Sequence, residues 1–120
     1  MIIKEKEKMT KSEFKTFIKG VPKAELHIHI EAVTSLAGVK KLYKNRFGKE
    51  MSKEEQVALF SYEDLNGFIQ AFLKIQDMFV SEKDFNVVFK ELEKYLIKNG
   101  IDYCEAFFAP TAFLKKGFSY

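Results

Sequence analysis

Apolar positions along the chain recur mainly at steps of three and four, the spacing of one helix face. Phe14, Phe17 and Ile18 predict a short helix ending at Gly20. Leu36, Val39, Leu42 and Tyr43 predict another, running to about Arg46. Two longer stripes follow: Leu65, Phe68, Ile69, Phe72 and Phe79, then Phe85, Val88, Phe89, Leu92, Tyr95 and Leu96. Thr10-Lys11-Ser12-Glu13 and Ser52-Lys53-Glu54-Glu55 read as capping boxes, in which a hydroxyl and a glutamate each take an orphan amide of the first turn. Ser61–Asp64 and Ser81–Asp84 are weaker versions, placing helices over about 63–79 and 83–99. The last should stop at Asn99-Gly100, where glycine adopts a left-handed C-cap easily. Two segments instead read as strands: Ala24–Ile30, with apolar alternation, and Ile101–Ala109, aromatic-rich and closed by Pro110. Strands separated by long helical crossovers predict parallel pairing, Ala24–Ile30 beside Ile101–Phe108. Residues 1–9, mostly alternating Lys and Glu, are expected to be a frayed start.

Composition narrows the class. The chain has 120 residues, 47% hydrophobic, with 13 Phe and 5 Tyr, so it can bury enough apolar area to fold as one small domain. A net charge of +3, with both signs mixed along the chain, does not point to nucleic acid. No apolar run approaches the roughly 18–20 residues of a membrane span, and the N-terminus lacks an apolar signal core. Cys104 is the lone cysteine, which excludes an internal disulfide and any cysteine-only metal site, and makes a reduced, cytoplasmic setting the expectation. Its place on a strand marks it as a packing thiol rather than a nucleophile.

The candidate chemistry lies in Pro22–Glu31. His27 and His29 are the only histidines, two residues apart on a predicted strand, so both side chains should point to one face. Two imidazoles so placed can reach one cation at about 2.0–2.1 Å. Glu31 would continue that face by another step of two, with Leu26, Ile28 and Ile30 turned to the apolar side. Two histidines on a strand face are also compatible with plain polar surface, and two ligands do not complete a zinc site. The H-x-E and P-C-x-x-C pattern of cytidine-type deaminases needs paired cysteines, which this chain lacks.

Pro22-Lys23-Ala24-Glu25-Leu26-His27-Ile28-His29-Ile30-Glu31 resembles the opening motif of the adenosine deaminase family, P-K-x-E-L-H-x-H-[LI]-[DE]-G, within the metal-dependent amidohydrolase superfamily. Asp64–Phe72 resembles the family's L-x-x-F-[LI]-x-x-F helix, and Asn99–Pro110 its second-strand segment, G-V-x-Y-x-E-x-R-[FY]-S-P. The three motifs stand in order over about residues 20–115. The resemblance implies an α/β fold, the N-terminal part of a TIM (β/α)₈ barrel with two parallel strands and several helices. It also implies a zinc-dependent hydrolytic deaminase of a purine nucleoside, adenosine, with one zinc ion per complete site. His27 and His29 would be two metal ligands at the C-terminal end of the first strand, where barrel active sites sit. Glu31 would match the acidic position that hydrogen-bonds ribose, and Leu65, Phe68, Ile69 and Phe72 the apolar wall over the purine. The chain departs from the family pattern at Ala32, where the family has glycine, and at Phe107 and Ala109, where it has arginine and serine. These departures leave adenine or another aminopurine open as substrate.

A barrel of this type needs about 250 residues. Residues 1–120 are therefore expected to be a partial N-terminal segment of a single barrel domain. The resemblance places the third zinc histidine, the zinc aspartate, the acid and the base downstream, so no catalytic residue is expected within this chain and it is expected to be inactive alone. The alternative is a non-catalytic truncated remnant. A half-built barrel should also self-associate or require the missing C-terminal part, because open strand edges recruit partners.

Overall fold

The structure is a computed structural model and describes residues 8–119; most of the expected frayed start, residues 1–7, lies outside the described residues. The chain order is α1 (Lys11–Gly20), β1 (Lys23–His29), α2 (Leu36–Phe47), α3 (Lys53–Phe60), α4 (Leu65–Asp77), a 3₁₀ turn (Glu82–Asp84), α5 (Phe85–Asn99), β2 (Ile101–Phe107) and α6 (Pro110–Leu114).

Local signals act where expected. Thr10 accepts the Glu13 amide while the Glu13 carboxylate takes the Thr10 amide at 2.7 Å, and Ser52 and Glu55 do the same at α3. Gly100 ends α5 at φ 61°, a conformation that a Cβ disfavours. The third capping signal, Ser61–Asp64, differs. Ser61 instead closes α3, and Asp64 itself caps α4, accepting the Gly67 amide at 2.7 Å. An aspartate is as good an N-cap as a serine, and it stands directly before the helix.

β1 and β2 pair in parallel, as α/β connectivity requires. Ile28 and Ile30 enter a core with Val39 and Leu42 of α2, Ile75 and Phe79 from α4 and the turn after it, Val88 and Leu92 of α5, and Phe113 of α6. Gly38 lets α2 approach closely: a Cβ there would meet the Thr34 methyl at 2.7 Å and Glu91 Cγ at 2.8 Å. β2 stops at Phe107, two residues short of the expected end, because Ala109 and Pro110 open α6, with proline in its first turn. Cys104 is half-buried and packs against the core.

One helix stays unpacked and one apolar expectation fails. α1 forms, but it buries none of its residues; Phe14, Phe17 and Ile18 stay exposed. Leu26 is 60% exposed rather than packed. The ladder has a register irregularity between Glu25 and Ile28, so the two-residue alternation breaks at Leu26. Glu25, three residues before Ile28, reaches the helix layer instead, and its carboxylate accepts the Tyr95 hydroxyl at 3.0 Å.

That bond predicts an alkaline limit. The Glu25 carboxylate beside it holds the Tyr95 phenol above its ordinary range, helped by partial burial. The folded state therefore keeps the phenolic proton more tightly than the unfolded chain, whose tyrosines titrate near about 10. The contribution is intact below that pH and is lost as pH rises through the folded value. Chemical denaturation should show level stability from neutral pH to about 10 and a decline above it, less steep in Tyr95→Phe. An identical decline in that variant would remove Tyr95 as its source.

Candidate active site

β1 ends at His29, and both histidines leave it on the open face of the sheet. Their Nε2 atoms stand 3.1 Å apart. A tetrahedral metal with bonds of about 2.0–2.1 Å spaces adjacent nitrogens by about 3.3–3.4 Å. The pair thus sits within a few tenths of an ångström of a shared-ligand arrangement. Without a metal, one Nε2–H can donate to the other Nε2 in complementary tautomers. The donor set fits a borderline cation such as zinc, which takes neutral imidazole readily. Among the described residues no group of three His, Cys, Asp or Glu side chains is placed to hold a metal, so the histidine pair has no third protein ligand among them.

Aromatic rings frame the pair. Phe107 of β2 is the register partner of His29, and the Ile30 amide donates to the Phe107 carbonyl at 3.1 Å. This neighbouring position lays the Phe107 ring against His27, centroids 4.3 Å apart and planes 23° from parallel, and 5.9 Å from His29. Phe72 of α4 meets His29 edge-on, at 6.0 Å and 80°.

The other expected site residues are dispersed. Leu65, Phe68 and Ile69 lie in the exposed N-terminal half of α4, whose buried residues, Ala71, Ile75 and Gln76, come from its C-terminal half. Phe68 packs on Tyr62 rather than on a histidine. Of the two aromatic wall residues, Phe72 is the one whose ring meets an imidazole. Glu31 does not continue the histidine face. The strand has already ended, residues 30–33 form a turn closed by the Ala32 amide on the His29 carbonyl, and Glu31 is fully enclosed. Its Oε1 accepts from Gln76 Nε2 at 3.2 Å, while Oε2 and the Thr34 hydroxyl are buried without partners among the described residues. The sequence signal for Gln76 is a glutamine between Ile75 and Phe79 on an apolar stripe. A separate apolar concavity of about 360 Å³, lined by Tyr43, Met51, Leu59 and Met78, lies between α2, α3 and α4 and contains neither histidine.

No family profile matches the chain. It is 30% identical over 112 residues to an uncharacterised deaminase of Schizosaccharomyces pombe, covering 91% of this chain and 33% of that protein. It is 29% identical over 107 residues to an adenine deaminase of Vibrio parahaemolyticus, covering 87% and 32%. It is 24% identical over 110 residues to an aminodeoxyfutalosine deaminase of Streptomyces avermitilis, covering 90% and 31%. Among solved structures, the adenine deaminase from Arthrobacter aurescens superposes with a TM-score of 0.68 at 25% identity, covering 82% of this chain and 31% of that one. The chain thus spans about a third of the length of the curated relatives it matches, and its strands and helices are those of a partial α/β barrel.

Proposed function

We propose that this chain, whose relatives are deaminases matched over about a third of their length, is the N-terminal segment of a metal-dependent aminopurine deaminase. The observation that carries this reading is the His27–His29 pair, two imidazole nitrogens 3.1 Å apart at the end of the first barrel strand. Hydrolytic deamination joins a water oxygen to the amino-bearing ring carbon, breaks the carbon–nitrogen bond and releases ammonia. A zinc ion held by His27, His29 and ligands from outside this chain would activate the water as a Lewis acid. The chain's own residues bind and orient: the imidazoles fix the cation, and Phe72 and Phe107 supply an apolar boundary that excludes water from its side. The acid and base would come from the rest of the barrel.

For the substrate, a free aminopurine base such as adenine is preferred to adenosine. Two observations support this. Glu31, the position that would meet a ribose, is enclosed beneath the turn and engaged by Gln76. Several of the matched relatives carry the name adenine deaminase. Ammonia release should be measured on the complete gene product with adenine, adenosine, AMP and aminodeoxyfutalosine in parallel. Turnover with adenine at least about tenfold more efficient than with adenosine is the expected result; the reverse order would restore the nucleoside reading, and no turnover with any aminopurine would refute the enzyme.

Residues 1–120 expressed alone should bind zinc weakly and release no ammonia, because two ligands give little chelation and an acid and base each contribute about 10²–10⁴ in rate. They should also self-associate. Among the described residues the sheet has two strands with both outer edges open, and Leu65, Leu73, Tyr103, Phe107 and Phe108 are exposed. Sedimentation at micromolar concentration checks this, and a clean monomer there would contradict it.

A further inference from the structure

Phe107 is unexplained by hydrophobic packing alone. It is 46% exposed, yet its ring is stacked on His27 rather than turned into the core. It stands where the deaminase-like second-strand motif would carry arginine, so a cationic chain is replaced by an aromatic face beside two imidazoles.

We propose that Phe107 is a positioning residue for the metal pair: its ring is the platform that holds the His27 imidazole with Nε2 turned toward His29 Nε2. This rests on the metal reading of His27 and His29 above. The physical argument has two parts. A ring 4.3 Å away and 23° from parallel limits rotation of His27 about its Cβ–Cγ bond to the two flips that keep the imidazole plane against Phe107, and one of these sets its Nε2 3.1 Å from that of His29. An imidazole that donates its lone pair to a cation becomes electron-poor, and the negative face of a benzene ring attracts it more strongly than it attracts the free imidazole. Stacking therefore favours the metal-loaded state over the empty one. Phe72 does not substitute, since its ring lies 80° from that of His29 and offers no parallel stack. The platform depends on strand pairing, because Phe107 faces the pair through being the register partner of His29.

The test uses the gene product that carries this chain, stripped with chelator, as wild type, Phe107→Leu, Phe107→Tyr and Phe107→Arg. Cobalt(II) is titrated by visible absorption, zinc affinity is read by competition with a chelating dye, and each metal-free protein is melted. Phe107→Leu keeps the apolar bulk and loses the face, so it should weaken both metals about tenfold, the lower end of the effect of a ligand's supporting neighbour. Phe107→Arg likewise loses the aromatic face and should show a loss of the same order as Phe107→Leu. Phe107→Tyr retains the face and should stay within about twofold of wild type, with an unchanged cobalt spectrum. Wild-type affinity in Phe107→Leu would overturn the platform while leaving the metal pair standing. Equal losses in all three variants, tracking lower melting temperatures, would also overturn it by making Phe107 a packing residue. A wild-type protein that takes up neither metal would refute the metal reading and this proposal with it.

Discussion

Alanine at His27 or at His29 in the complete gene product is expected to abolish ammonia release and to strip the protein of zinc on dialysis. Each imidazole supplies one of two nitrogens 3.1 Å apart, so either substitution leaves this segment a single ligand. Loss of a partner that merely supports a metal ligand already costs about 10–100-fold in affinity or activity, and loss of the ligand itself should exceed that. Both side chains are exposed on the open sheet face, outside the core, so circular dichroism and thermal melting of the metal-free variants should match wild type. Leu26→Ala is the matched control: it is a neighbour on the same strand and 60% exposed, and it should leave zinc content unchanged. Full zinc occupancy in both histidine variants would place the metal elsewhere.

The second large effect is on stability and lies away from the histidines. Asp84→Ala should destabilise the fold by about 3 kcal/mol or more, since each donor orphaned from a charged acceptor costs about 1–3 kcal/mol. The Asp84 carboxylate, 2% exposed, accepts the Val80 amide at 2.8 Å, the Ser81 amide at 3.1 Å and Asn45 Nδ2 at 2.8 Å. It thereby joins the end of α2 to the turn that launches α5. Alanine removes all three acceptor contacts at once, whereas Asn45→Ala removes one and should cost roughly a third as much. Melting temperatures should fall by about 10 °C or more for Asp84→Ala. A shift of only one or two degrees would mean that water satisfies the three donors.

The helices and their ends were legible because their causes are local. A capping box spans three residues, and an apolar stripe repeats within a turn, so Thr10–Glu13, Ser52–Glu55 and Gly100 can be read without knowing what they face. The parallel pairing was legible from connectivity, since long helical segments separate the two strand-like stretches. Asp84 was visible only as a weaker capping residue; its third donor, Asn45, stands 39 residues away.

By itself, then, the sequence determined the order of helices and strands, the parallel partnership of β1 and β2, and the placing of two histidines on one side of a strand. All three follow from short-range periodicity, capping chemistry and chain connectivity. Tertiary structure alone decided the rest. A register irregularity between Glu25 and Ile28 left Leu26 outside and sent Glu25 to Tyr95. The turn after His29 carried Glu31 beneath α4 to Gln76, although step-of-two counting placed it with the histidines. The pairing register also brought Phe107, 78 residues after His29, against the imidazoles. Side-chain facing on a strand flips with a shift of one residue, and contacts between distant segments depend on that register, so nothing local in the chain encodes them.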